Sequence, residues 1–99
     1  MKITVTDEAV DWFKEELEVT AGDHVRFFVR YGGNSTIQEG FSLGLTVEKP
    51  HNIAANTIED DITFFVEDED VWYFKDYDLK VDFEEKTGEI DFNYREAGK

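Results

Sequence analysis

The sequence predicts a small single α+β domain with one longer helix near its N-terminus and one short helix further on. Three observations carry that expectation. Apolar residues recur at helical spacing over residues 9–17, whereas most later stretches alternate with a period of two. A glycine-containing turn at residues 85–88 joins two of those alternating stretches directly. A chain of 99 residues builds one core, and its nine Phe, four Tyr and two Trp supply large apolar surfaces to fill it.

Taken in order, Ile3 and Val5 share one face of a short first strand. Thr6 is a good helix N-cap, and Asp7 and Glu8 fall in the first turn, where carboxylates suit the positive end of the helix dipole. Ala9, Val10, Phe13 and Leu17 form the apolar stripe, Trp12 covers its edge, and Gly22 with Asp23 is expected to close the helix region. Residues 24–31 read as a strand with Val25, Phe27, Val29 and Tyr31 facing the core. A second strand over residues 41–47 turns Phe41, Leu43, Leu45 and Val47 one way and is expected to pair with the first in antiparallel fashion. Gly44 inside it marks a bulge or a close backbone approach.

Residues 50–56 hold the only proline and read as an irregular link. Residues 62–66 are a strand with Phe64 and Val66 inward, preceded by an acidic turn at Glu59, Asp60 and Asp61. In the run of acids at residues 67–70, Asp68 is expected to cap the short helix, with Glu69 and Asp70 in its first turn. Strands at residues 79–83, carrying Val81 and Phe83, and 89–92 close a hairpin on Gly88, which is placed for a positive φ. The domain is expected to span residues 1–94, with a frayed tail over 95–99.

Composition excludes several functions. Without cysteine there is no disulfide, no thiolate metal ligand and no thiol nucleophile. A net charge of −14 lacks the basic footprint that a nucleic-acid backbone requires. No apolar run has the length of a membrane span, and residues 1–5 lack the apolar stretch of a secretory signal, so a cytoplasmic protein is expected. His24 and His51 are far apart and lack zinc spacing; Ser35 and Ser42 have no nucleophile-elbow setting. Asp60 with Asp61, and Asp82 with Glu84, are the carboxylate pairs that could hold a hard cation. We expect no enzyme activity and no cofactor.

The stretch that stands out is YGGNSTIQEGFSLGL, residues 31–45, with four of the seven glycines. It reads as two strands joined by a long polar loop, and loops of that length tend to be functional. The candidate recognition loop comprises Gly32, Gly33, Asn34, Ser35, Thr36, Ile37, Gln38, Glu39, Gly40, Phe41 and Ser42. Glycines there permit unusual backbone shapes, the polar side chains offer hydrogen bonds, and Ile37 is expected at an exposed tip. The competing expectation is an insertion that the fold simply tolerates.

This stretch also carries a family resemblance. Ile3, Thr4, Thr6, Asp7 and Ala9 at the start, Gly32-Gly33, and then Gly40-Phe41-Ser42-Leu43-Gly44-Leu45 resemble the HesB-like family of A-type iron–sulfur carriers. Phe65-Val66, the short helix at residues 70–74, and a final hairpin ending in Phe92-Asn93 extend the likeness along nearly the whole chain. The resemblance implies a mixed or largely antiparallel twisted sheet. It also implies cluster ligands: one cysteine after the glycines and a Cys-Gly-Cys pair near the C-terminus. Counting from either side puts the first on Asn34 or Gln38, and neither supplies a thiolate. The expected function is therefore a non-enzymatic binding or adaptor module related to iron–sulfur cluster assembly, with an unidentified protein partner. Two alternatives stand beside it: a divalent-metal (iron) binder using carboxylates, and an acidic decoy for basic nucleic-acid-binding surfaces.

Overall fold

The structure, a computed structural model, describes residues 1–97. In chain order it contains β1 (Ile3–Val5), α1 (Asp7–Glu16), β2 (His24–Asn34), β3 (Glu39–Val47), β4 (Ile53–Glu59), β5 (Ile62–Glu67), a 3-10 helix (Asp68–Phe74), β6 (Tyr77–Glu84) and β7 (Glu89–Glu96). The strands form two sheets, ordered β1-β6-β7 and β3-β2-β5-β4. β1 runs parallel to β6 and β2 parallel to β5; the remaining pairs are antiparallel. The protein is thus an α+β domain with mixed, mostly antiparallel sheets.

α1 starts as its sequence dictates. The Thr6 hydroxyl accepts the Ala9 N–H at 3.3 Å, with Asp7 and Glu8 in the first turn. Ala9, Val10 and Phe13 are buried, and the helix packs on β6 and β7. Trp12 seals the edge by donating its indole N–H to the Gly88 carbonyl at 3.1 Å. The helix stops at Glu16, and the left-handed residue beyond it is Glu18, at φ 56°. Gly22 does not end the helix; it lies in the next turn and donates its N–H to the Asp61 carbonyl.

The centre of the core is three rings, Phe13, Phe27 and Phe64, with centroids 5.1–6.2 Å apart. Val10, Val25, Leu43, Val66 and Val81 join them as expected, while Leu17, Val29 and Leu45 are partly buried against the cluster. Phe83 is only half-buried, and Ile62, Phe65, Tyr73, Phe74 and Leu79 are core residues besides.

Four further expectations are corrected. The irregular link is largely strand: β4 covers Ile53–Glu59, with Ala55 its one buried residue because it lies at the sheet edge. The frayed tail starts too early: Arg95 and Glu96 pair with Asp78 and Tyr77, since β6 begins before the apolar alternation does. Ala97 donates its N–H to the Asp76 carbonyl at 2.8 Å, and the last two residues of that tail, Gly98 and Lys99, lie outside the described residues. Asp68 does not cap the short helix; Glu67 occupies that position and makes no side-chain cap bond, and the helix is 3-10 throughout. Finally, the long loop is mostly hairpin, as described next.

Candidate functional site

β2 and β3 pair without a break from Val25↔Val47 to Tyr31↔Phe41, then resume at Asn34↔Glu39 after an irregularity. Only residues 35–38 connect them. Gly32 and Gly33 form the irregularity at φ 115° and 67°, in the left-handed region that favours glycine. Side chains brace this end of the hairpin. Asn34 Oδ1 accepts the Gly40 N–H at 2.7 Å, and the Ser42 hydroxyl donates to the Gly32 carbonyl at 3.1 Å. The Ser35 hydroxyl accepts the Gln38 N–H at 3.0 Å and donates to the Gln38 carbonyl at 3.2 Å.

Most of the polar groups read as recognition elements therefore hold the hairpin in shape. Thr36 and Glu39 are exposed, and Ile37 is not an exposed tip: it is half-buried and packs on the core cluster. An irregularity of this kind bends a strand, which carries the tip back towards the domain. Between the tip and β7 lies a groove of about 370 Å³, lined by Asn34, Ser35 and Leu43 on one side and Ile90, Phe92 and Tyr94 on the other. Gly44 behaves as a close-approach residue, because a Cβ there would lie 2.6 Å from Arg30 Cδ and 2.7 Å from Phe28 Cζ.

At the end of the hairpin the inward face of β2 overruns the core. Tyr31, expected inside, is 90% exposed. Its ring meets Phe41 edge-on at 5.8 Å, and Phe41 meets Trp72 of the 3-10 helix at 5.3 Å. Trp72 is itself 50% exposed and adjoins the buried Tyr73. Tyr73 and Tyr94 hydroxyls are 2.9 Å apart, and burial together with that bond pushes the Tyr94 phenol far above its ordinary range. Alternation alone could not distinguish Tyr31 from a core residue. Its place beside Gly32 was the available signal.

Arg26, on the face of β2 away from Val25 and Phe27, gathers three carboxylates. Its Nη1 lies 3.3 Å from Glu48, and Nη2 lies 2.9 Å from Glu69 and 2.7 Å from Asp70. Asp70 also accepts the Val29 N–H at 3.4 Å, which ties the 3-10 helix to β2. Glu67, 2% exposed, accepts the N–H groups of His51 and Asn52 at 2.7 and 2.6 Å. Burial would raise its pKa, but these donors and nearby Arg26 outweigh it and hold the carboxyl below its ordinary value.

The other residues singled out from sequence form no common cluster among the described residues. His24 packs edge-on against Phe65, and His51 lies in an exposed bend. Asp60 pairs with Lys14. Asp82 accepts from Asn93 at 2.9 Å, while Glu84 accepts the Lys86 N–H at 3.1 Å. Among the described residues no group of three or more His, Asp or Glu side chains is placed to hold a metal, and no helix is long and apolar enough to cross a membrane.

Residues 1–97 match the family described as iron-sulphur cluster biosynthesis. The chain belongs to that family. It is a cysteine-free, divergent HesB-like member. Over 95 residues it is 46% identical to a Bacillus subtilis (strain 168) protein named pyruvate dehydrogenase inhibitor, covering 96% of this chain and 100% of that one. An uncharacterised protein of Staphylococcus saprophyticus is 39% identical over 95 residues, covering 93% of this chain and 97% of the relative. One of Staphylococcus haemolyticus is 38% identical over 96 residues, covering 94% and 97%. No solved structure matches.

An iron–sulfur cluster does not fit the HesB-like positions of this chain. Asn34 spends its carbonyl oxygen on Gly40, Gln38 sits in the braced turn, and neither carries sulfur.

Proposed function

We propose that this protein is a non-catalytic binding module that docks through its β2–β3 hairpin and inhibits pyruvate dehydrogenase. The observation that carries the proposal is the end-to-end identity of 46% with the Bacillus subtilis relative of that name. The hairpin supports it physically. Its turn is held by side-chain bonds and fixed glycine conformations, so little freedom remains to be lost on binding. Family membership has then kept the fold while the family's thiolate chemistry has gone, and the action is in the cytoplasm.

The carboxylate-metal reading has less support, since Asp60 and Asp82 are engaged by Lys14 and Asn93. The test is purified pyruvate dehydrogenase mixed with the parent protein or with a variant whose residues 34–39 are replaced by an Asn-Gly turn, which suits a two-residue hairpin. The parent should lower the enzyme's activity and the shortened protein should not. Equal inhibition by a folded, shortened protein would remove the hairpin's tip, residues 34–39, from the interface.

A further inference from the structure

We propose that the rings of Tyr31, Phe41 and Trp72, flanked by Asp68 and Glu69, take a basic segment of the partner, with its arginine or lysine side chains on the ring faces. This rests on the inhibitor reading and names the chemistry of its contact.

The rings form a ladder. Each meets the next edge-on, at 5.8 and 5.3 Å, and the inner end is anchored on Tyr73, which is fully buried. Tyr31 at 90% and Trp72 at 50% exposure contribute little to the core. Rigid aromatic side chains held at a surface lose little entropy on contact, and Tyr and Trp are enriched among residues that dominate binding. Tyr31 is the last residue of β2 before the Gly32–Gly33 irregularity and stands 90% exposed.

Charge selects the occupant. Glu69 lies three residues, one 3-10 turn, before Trp72 on the same helix. The Glu69 side chain is 73% exposed, and Asp68 next to it is exposed too. Arg26 is shared by Glu48, Glu69 and Asp70, so one guanidinium leaves a surplus of negative charge on the helix that carries Trp72. The net charge of −14 repels an acidic partner at longer range. A guanidinium or ammonium group satisfies both features, because the ring faces attract cations and the neighbouring carboxylates pair with them.

The experiment measures inhibition of purified pyruvate dehydrogenase by the parent, Tyr31→Ala, Tyr31→Ala/Trp72→Ala and Asp68→Asn/Glu69→Gln, each at low and high salt. Removing both rings should raise the half-inhibiting concentration at least about 30-fold, the size expected for a dominant contact. Neutralising the acids should slow association and flatten its salt dependence. In a Trp12→Phe background, Trp72 emission should shift to the blue on mixing. Tyr31→Ala keeps the test valid should Trp72→Ala disturb the 3-10 helix, since that tyrosine is 90% exposed. If the parent inhibits and Tyr31→Ala and the ring-less variant inhibit equally, or if salt has no effect, this inference falls and the inhibitor reading survives. A parent without effect on the enzyme overturns both.

Discussion

A Cβ on Gly44 would meet the side chains of Arg30 and Phe28, which must shift to admit a methyl group. Gly44→Ala should therefore destabilise the protein by about 1–3 kcal/mol in urea denaturation, the usual cost of overpacking. Unchanged stability would mean that Phe28 and Arg30 move aside freely. Glu67 is the buried charge whose loss should matter most. Its folded pKa is depressed, so its contribution is present above the ordinary value of 4.5 and is lost as pH falls through the lower folded value. At neutral pH Glu67→Gln should cost about 1–3 kcal/mol, because an amide nitrogen replaces one of two acceptors facing backbone N–H groups. The difference in stability between parent and variant should then shrink in acid below pH 4.5. A constant difference would show that the charge is not what binds residues 51 and 52.

The hairpin is the element on which structure and sequence diverge most instructively. Its two strands and their antiparallel pairing are legible, because Val25, Phe27 and Val29 alternate against Leu43 and Leu45. Its extent is not: Gly32, Gly33 and Gly40 look like loop, yet they adopt positive φ while the ladder resumes beyond them at Asn34 and Glu39. β4 was hidden for a different reason, since an edge strand with one buried residue carries no apolar alternation. Ile37 tests the revised picture of the tip. Packed but only half-buried, it should cost about 1–2 kcal/mol on substitution by alanine, less than a fully buried isoleucine. An Ile37→Ala protein that melts like the parent would return Ile37 to the exposed position read from sequence.

For the whole molecule, local patterns specified α1 and the β6–β7 hairpin, whereas the parallel β1–β6 and β2–β5 pairings join residues distant in the chain and leave no local trace. The candidate site was half legible. Glycine punctuation pointed to residues 32–42, but the ladder from Tyr31 through Phe41 to Trp72 exists only after folding brings the 3-10 helix beside the hairpin. Cysteine content speaks for the entire chain: with none present, anaerobic reconstitution with iron and sulfide should leave colourless protein without bound sulfide. Stable, stoichiometric cluster would require histidine, carboxylate or an outside thiol as ligands. The central claim is that the protein acts on pyruvate dehydrogenase as a cluster-free binding module. It is tested most directly by following the activity of the purified enzyme against rising concentrations of this protein, with no iron or sulfide added. The account predicts a saturable fall in activity under those conditions. Activity that stays level, or falls only after the protein has been loaded with iron and sulfide, would contradict it.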